Sequence, residues 1–461
     1  PFFEQFQEVR DRVPRVSLVA DNRCINSPYV NHASAVKNCH ILSASVDDED
    51  CYYGYRVNHS KNCVDCLFAN TCELCYECIE AYSSYNCSYC RHIESCTNSA
   101  FLFDCSGCMD CFMCAGLRNK SYCILNKQYS KEEYEKRRKE YRMDSFEVVE
   151  KLKQEFNAFI VTVPRRFAVH KNVENVTGDN VSNTKNCTSI FDAVSCENVS
   201  YAKFVDFTRD SMDLNYGYES ELNYDSVMTG LSAYMVRFST QVWPSVANID
   251  YCDSCENISD CFGCIGLRKK QYCILNKQYT KEEYESLHAK LIEYMKEAGE
   301  WGEFFPAQLS PFAYNESTAM IFFPMKRGDV LANGWRWQDA MPGTQGKETL
   351  AVVPDSINEV SDTITSEVLA CASCARNYKI IKQELAFYKQ CGIPVPRLCP
   401  DCRLASRIAL RNPTHLYHRQ CMCEKADHDH AGRCTVEFET TYAPERFELV
   451  YCESCHQKEV V

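Results

Sequence analysis

Four cysteines near the C-terminus have the type and spacing of a metal site. Cys371 and Cys374 form one C-x-x-C pair, and Cys399 and Cys402 form a second pair further along the chain. Two such pairs supply four thiolates to one tetrahedral zinc ion. A short helix is predicted between them, over residues 382–390. This arrangement is typical of a structural zinc site rather than of a catalytic one, which keeps a ligand position open.

A second zinc ion is predicted from the five cysteines that follow. We expect four of the five to hold it, with Cys434, Cys452 and Cys455 as three ligands. Either Cys421 or Cys423 completes the set, and the spacing leaves that choice open. Two histidines lie in the same stretch, His428 and His430. The chain is therefore expected to carry two zinc ions.

A cluster of arginines accompanies the second C-x-x-C pair, with Asp401 as the one acid in the same stretch. Its members are Arg397, Arg403, Arg407, Arg411 and Arg419. Three of them are four residues apart, so they share one face of the helix expected there. On a zinc ribbon, such a face is typical of a surface that contacts nucleic-acid phosphates. The alternative is a solvated face that balances an acidic protein.

Composition limits the class of protein. The length of 461 residues favours two to four domains, and the net charge of −13 opposes non-specific nucleic-acid binding over the whole surface. The 33 cysteines are an odd number and cannot all pair within the chain. No apolar run approaches the ~18–20 residues of a membrane span. Clustered cysteines with metal-site spacing favour the cytoplasm.

The elements that must position these residues follow a repeat of three. All sixteen cysteines from Cys24 to Cys123 fall at positions divisible by three, and from 33 to 123 only Asp48 and Lys120 interrupt a series of small or apolar residues. A second period, of four triplets, lies on top of the first. Neither a helix nor a flat strand has period three, so a narrow parallel β-helix is predicted, with one inward side chain in every three. Asn and Asp often precede the inward residue and suit its corners.

The repeat is duplicated, and the two copies bear on the role of its thiols. Residues 122–135 recur at 272–285 with one difference, and each copy leads into a helix, predicted over residues 131–156 and 281–297. Ser130 and Thr280 are the predicted N-caps, and Glu133 and Glu283 are expected to close capping boxes. Cys108 corresponds to Ile258 in the second copy, and isoleucine cannot replace a thiolate as a metal ligand. This favours thiols that fill a tight core. Metal uptake or disulfides along the thiol columns remain the alternative.

We therefore predict a mostly β protein: two parallel β-helix-like solenoids, each ended by an α-helix, and a C-terminal zinc-ribbon module. The predicted units are a first cysteine-rich solenoid (1–126), a helical connector (127–160), a second solenoid (161–276), a helix (277–300), an aromatic spacer (301–366) and the zinc-ribbon module (367–461). The spacer is expected to pack against the second solenoid.

The C-terminal module resembles treble-clef "probable zinc-ribbon" domains. The residues that carry the resemblance are Cys371, Cys374, Glu384-Leu385, Phe387-Tyr388, Ile393-Pro394, Pro396-Arg397, Cys399-Pro400 and Cys402-Arg403. The whole chain is similar to uncharacterised cysteine-rich proteins of candidate-phyla bacteria (Patescibacteria). The shared motifs are residues 1–6, 122–135, 309–316 and 450–455. The resemblance implies zinc binding and brings no assigned function.

No constellation for catalysis is present in the sequence. A Walker loop, a dinucleotide fingerprint and a nucleophile elbow are all missing, so the chain is predicted not to be an enzyme. The leading hypothesis is a zinc-binding scaffold with a protein partner or self-assembly, since repeat proteins bind partners through long surfaces. The alternatives are binding of RNA or the ribosome through the arginine face, and metal storage or redox buffering by the thiols.

Overall fold

The structure, a computed structural model, describes residues 1–14, 16 and 18–460. It is mostly β, with 37% of residues in strands and 23% in helices, and two long parallel sheets dominate it. The chain begins with helix α1 (Phe2–Arg12). The first sheet follows, with β1 (Val30–Ser34), β2 (Leu42–Val46), β3 (Tyr55–Asn58), β4 (Leu67–Asn70), β5 (Ile79–Tyr82), β6 (Tyr85–Ser88), β7 (Arg91–Glu94), β8 (Thr97–Ser106), β9 (Met109–Ala115), β10 (Ser121–Ile124) and β11 (Lys127–Gln128).

Parallel pairing in the first sheet has a constant register of four triplets. Val30 pairs with Leu42, and Leu67 pairs with Ile79. Isolated bridges between the strands keep the same offset, as between Lys37 and Glu49. Each strand therefore pairs with the segment twelve residues further along the chain, and we call each such segment a layer. This offset of four triplets confirms the second, longer period of the sequence.

The period of three comes from the backbone. From Ala33 to Cys123, the residue before every inward position has a positive φ, as at Asn38 (54°), Asp50 (53°) and Asn62 (51°). Asn and Asp tolerate this left-handed region better than other residues with a β-carbon. Some of these corner residues also bond across layers, and Asn26 donates its amide to Asn38 at 3.0 Å. The predicted role of Asn and Asp at corners is confirmed.

Inward thiols fill the core of both sheets and bond to its backbone. Cys66 and Cys78 are fully buried. The Cys66 thiol lies 3.6 Å from the Val64 carbonyl and 3.4 Å from the Cys75 carbonyl of the next layer. The Cys78 thiol has the same pair of contacts, to carbonyls two residues before and nine residues after it. A thiol is a small apolar group with a weak S–H donor, so this position suits it.

The first sheet ends in an antiparallel turn from β10 to β11 and two helices, α2 (Lys131–Lys139) and α3 (Phe146–Val161). Ser130 caps α2, because its hydroxyl accepts the Glu133 N–H at 3.2 Å. The prediction of one continuous helix over residues 131–156 is wrong, because α2 and α3 are separate helices. Ser145 caps a new helix, and Asp355 accepts two of the first N–H groups of that helix.

The second sheet has the same parallel layers. It follows β12 (Arg165–Arg166) and contains β13 (His170–Val194), β14 (Glu197–Glu221), β15 (Tyr224–Arg237), β16 (Thr240–Val242), β17 (Ala247–Asp250), β18 (Ser259–Phe262), β19 (Gln271–Ile274) and β20 (Lys277–Gln278). The register lengthens by one residue between the pairs Tyr218–Gly230 and Ser220–Ala233. A second extra residue lies between Val242 and Ala247, and together they shift the frame of the inward positions.

Helix α4 (Lys281–Glu297) and α1 cover the end of the second sheet. A complete capping box of Thr280 and Glu283 begins α4, as predicted. The sequence prediction placed residues 2–12 with the first solenoid, but α1 packs its Phe2 against Phe262 of the second sheet, with ring centroids 5.3 Å apart. The aromatic spacer packs there too, since Trp301 joins the same cluster.

Short elements fill the rest of the chain. Residues 301–366 contain α5 (Thr318–Phe322), α6 (Arg327–Ala332) and 3-10 turns at Ala307–Leu309, Tyr314–Glu316, Ile357–Glu359 and Asp362–Ser366. The C-terminal module contains β21 (Leu369–Ala370), β22 (Asn377–Tyr378), α7 (Lys382–Cys391), α8 (Pro400–Ile408), β23 (Tyr417–Gln420), β24 (Glu437–Thr440), β25 (Val450–Tyr451) and α9 (Glu453–Glu459). Helix α7 matches its prediction and ends at Gly392, with a φ of 63°.

Candidate metal centres and the arginine face

The first predicted ligand set comes together in the structure. The four Sγ atoms of Cys371, Cys374, Cys399 and Cys402 all lie within 4.8 Å of one another. Cys374 and Cys399 are 3.8 Å apart. The geometry suits one tetrahedral ion with four thiolate ligands.

Two local motifs position these four thiols. The first pair lies in the turn between β21 and β22, where Ala375 has a φ of 58° and donates its N–H to the Cys371 carbonyl at 2.9 Å. The second pair lies at the start of α8, since Cys399 is its N-cap and Cys402 lies in its first turn. A helix N-terminus favours negative charge, so this placement stabilises thiolates.

Backbone donors also adjust the acidity of this site. Burial opposes ionisation of Cys371, but hydrogen bonds from the backbone of Cys399, Cys374 and Ser373 lower the pKa of its thiol to about 6. Since the thiolate is the form that ligates metals, this side chain is prepared for an ion near neutral pH.

The arginine face of α8 is buried against the first sheet. The guanidinium of Arg403 lies 2.8 Å from Asp65 and 3.1 Å from Glu384, and Arg407 lies 2.8 Å from the other oxygen of Asp65. Arg403 and Arg407 are each 4% exposed, and Asp65 is fully buried. Arg403 and Arg407 share one face of α8 as predicted, whereas Arg411 lies three residues beyond the end of the helix at Ile408. The expectation that this face is open to solvent is wrong, because acids of the first sheet neutralise it.

The remaining arginines are also engaged within the protein. Arg411 lies 2.6 Å from Glu80 of the first sheet and contacts Asp192 of the second sheet, so it joins the two sheets. Arg397 donates to the carbonyls of residues 353 and 354, and Arg419 donates to those of residues 442 and 443. No member of the predicted phosphate-binding set is free of these contacts.

The second predicted ligand set also comes together. Cys421, Cys434, Cys452 and Cys455 are buried, and their Sγ atoms lie within 4.8 Å of one another. Cys434 and Cys452 are 3.9 Å apart. The hairpin of β23 and β24, which pair antiparallel, places Cys421 and Cys434 at its loop end, where Gln420 pairs with Glu437. The other two thiols lie at the start of α9, where Cys452 is the N-cap.

Cys423, the alternative that the sequence left open, belongs to a third group. Its Sγ lies 3.0 Å from Nδ1 of His428, and Nε2 of His430 lies 3.4 Å from the Sγ of Cys455. These four ligand atoms also lie within 4.8 Å of one another. The sequence showed both histidines beside the cysteines, but spacing alone assigned them to no ion.

Among the residues that the structure describes, groups of three or more close metal ligands occur only in these three places. The thiols of the two sheets form no such group, although they outnumber those of the C-terminal module. Their contacts with backbone carbonyls account for them as core residues. No described helix is long and apolar enough to cross a membrane.

Comparison with known proteins adds little to this geometry. No protein-family model matches the chain, and no curated protein matches it. One similar solved structure is described as a "putative acetyltransferase" from Desulfovibrio desulfuricans G20, with 11% identity over 57% of this chain and 73% of that chain, and a TM-score of 0.11. A likeness at that score carries no argument about fold or activity. The resemblance to zinc-ribbon proteins of candidate-phyla bacteria stays a prediction.

Proposed function

We propose that this protein is a non-enzymatic scaffold in which bound zinc holds a C-terminal zinc-ribbon module on two parallel β-helices. The β-helix description rests on the register of four triplets and on the corner that follows every third residue. Zinc is the ion of choice because thiolate and imidazole ligands in closed sets of four are typical of structural zinc.

The docking of α8 on the sheets is the observation that carries the proposal. The helix that supplies Cys399 and Cys402 also carries Arg403 and Arg407, which both pair with Asp65. Arg411, three residues after the helix, reaches Glu80 and Asp192. An ion at the first site fixes the start of α8, and the buried ion pairs then fix the helix on both sheets. The thiols of the first site and the arginines that follow them thus fix the C-terminal module on the two sheets.

An exposed apolar strip on the second sheet supports a role in assembly. Phe207, Tyr218 and Leu231 lie on successive layers and are 50%, 41% and 48% exposed. The first two rings are 5.6 Å apart, and Leu231 follows the residue that pairs with Tyr218. Contiguous exposed apolar side chains are typical of protein-interaction surfaces. We propose that this strip, residues 207, 218 and 231, binds a second copy of the chain.

The two alternatives have weaker support. Binding of RNA or the ribosome was inferred from an open arginine face, and that face is occupied by Asp65, Glu80 and Glu384. Metal storage was inferred from thiol columns, and the thiols of those columns contact backbone carbonyls. Neither alternative is favoured by a specific contact.

Hydrogen exchange of the full chain tests the role of the metal. After chelation, amide exchange is expected to rise in α8 and in the segment around Asp65 and Glu80. Strand β18 of the second sheet serves as the internal reference. Its Phe262 belongs to the aromatic cluster around α1, whereas Leu404 and Ile408 of α8 belong to another cluster. Unchanged exchange in α8 after complete metal release, verified by elemental analysis, contradicts the proposal.

Sedimentation tests assembly separately. The wild-type chain is expected to self-associate with rising concentration, and the pair of substitutions Phe207→Ser and Tyr218→Ser is expected to leave a monomer. Phe447→Ser is the matched control, because Phe447 is 89% exposed and lies outside the strip. A wild-type chain that is monomeric at every concentration rules out the second copy as the partner.

A further inference from the structure

The second and third metal-ligand groups of the C-terminal module share one thiol, that of Cys455. We propose that Cys455 bridges two metal ions in a binuclear centre. One ion is held by Cys421, Cys434, Cys452 and Cys455, and the other by Cys423, His428, His430 and Cys455. The inference rests on the proposed zinc binding and adds a third ion that the sequence did not predict.

Ligand count is the first argument for a shared thiolate. Each ion reaches the four ligands of a closed zinc site only when Cys455 contributes to both. Its Sγ is within 4.8 Å of every ligand atom in either group, and it lies 3.4 Å from Nε2 of His430. A thiolate sulfur has several lone pairs and can bind two cations. One set then consists of four cysteines and the other of two cysteines and two histidines, and both combinations are common for structural zinc.

The orientation of the two histidines is an independent argument. Nε2 of His428 lies 3.1 Å from a carboxylate oxygen of Glu459, and Nδ1 of His430 lies 2.8 Å from the Gly432 carbonyl. An acceptor at one ring nitrogen holds the proton there and leaves the other nitrogen free to ligate. In both rings the nitrogen left free is the one that faces the sulfurs. This is the outer arrangement typical of metal-bound histidine.

Charge and burial agree with two ions. The centre contains five cysteines, all at most 4% exposed, and His428 is 6% exposed. Each thiol that ligates loses its proton to solvent. Two divalent cations leave a net charge of −1 on the five thiolates of the centre, whereas one ion in the four-cysteine set leaves a net charge of −2 on its four thiolates. One ion in the four-cysteine set also leaves Cys423 and both histidines without a role.

Metal counting on the full chain tests the inference. Native mass spectrometry of protein produced with zinc is expected to give three ions per chain, one for each group. The double substitution His428→Ala and His430→Ala is expected to lower the count to two, and Cys455→Ser to one. His418→Ala is the matched control, because this exposed histidine contacts only Glu437 and Glu439. It is expected to keep all three.

Cadmium-113 NMR tests the bridge itself. In the cadmium-substituted chain, two of the three resonances are expected to split each other through the shared sulfur, while the ion at Cys371 gives a single line. Two ions in the wild type, with no loss in the histidine variant, overturn this inference and leave the proposed function intact. Three resonances without mutual splitting overturn the bridge. A chain that binds no metal refutes the proposed function as well.

Discussion

Arg403 and Asp65 form a buried ion pair, with 2.8 Å between a guanidinium nitrogen and a carboxylate oxygen, although 338 residues separate them in the chain. Neither side chain is more than 3% exposed. Removing two charges from water costs several kcal/mol for each ion, and only a complete set of partners offsets that cost. Glu384 and Tyr388 are two further partners of the same Arg403 nitrogen. The pair therefore specifies one position of the C-terminal module on the first sheet.

Replacing Arg403 by methionine is expected to lower the free energy of unfolding by about 3–5 kcal/mol. The cause is that Asp65 and Glu384 stay buried while their shared cation is lost. Urea unfolding followed by circular dichroism measures the change. Arg327→Met is the control, because Arg327 and Asp339 form an ion pair on the surface, 55% and 68% exposed. Its expected cost is at most about 1 kcal/mol. Equal losses in the two variants contradict the argument.

Removing two core thiols is expected to leave the metal content unchanged. Cys66→Ala and Cys78→Ala each delete one buried sulfur atom, at a cost of roughly 1 kcal/mol, similar to a buried methylene group. Elemental analysis of the double variant gives the metal count, and Cys371→Ser supplies the positive control with one ion fewer. A lower metal count in the double variant means that the thiol columns ligate ions.

Asp48 is expected to make stability fall as pH rises. Its side chain occupies an inward position, is 2% exposed, and accepts the Ser60 N–H at 2.9 Å. Burial raises the pKa of this carboxyl to about 8. The unfolded chain loses the proton near pH ~3.9, so the folded state binds more protons between these values. The free energy of unfolding then decreases by up to roughly 1.4 kcal/mol per pH unit across that window.

The substitution Asp48→Asn removes this titration. We expect a flatter dependence of stability on pH and a more stable chain near pH 8, measured by urea unfolding at several pH values. Asp210→Asn, at an exposed corner of the second sheet, is the matched control and is expected to keep the wild-type slope. The same dependence of the free energy of unfolding on pH in both variants contradicts the assignment of this dependence to Asp48.

Gly178 is expected to tolerate no β-carbon. Its φ is 141°, and an added Cβ lies 1.8 Å from the Ile190 carbonyl oxygen of the next layer. Gly178→Ala is therefore expected to cost about 3 kcal/mol or more, seen as a lower unfolding midpoint. Gly346→Ala is the control, because Gly346 also has a positive φ, 64°, but has nothing within 4 Å of an added Cβ. A midpoint as high as that of the control excludes the close contact between layers.

Local periodicity in the sequence predicted a large part of the fold. Cysteines in one frame of three, with Asn or Asp before them, predicted the inward column and its corners, because each triplet repeats the same backbone turn at Asn38 and Asp50. Ser130 and Thr280 predicted helix starts because a cap acts on the first turn that follows it. Cys371 and Cys399 predicted a metal site for a similar reason, since each C-x-x-C pair is a local turn.

Three features could not be predicted because they depend on residues distant in sequence. The arginine spacing indicated that Arg403 and Arg407 share a helix face, but the acid that pairs with both, Asp65, belongs to the first sheet, far earlier in the chain. The role of His428, which lies in a loop, depends on Glu459 of α9. The place of α1 depends on an aromatic cluster around Phe262. None of these pairings leaves a periodic signal.

The sequence by itself determined the repeat, its inward column, the helix caps and the cysteine pairs, because each depends on backbone conformation within a few residues. The tertiary structure decided what the arginines contact, which of Cys421 and Cys423 joins which group, and where α1 packs. Those outcomes depend on burial, which pairs a charge or a thiol with whatever group lies opposite after folding. The sequence pattern of an arginine face is the same whether the face is exposed to water or buried against Asp65.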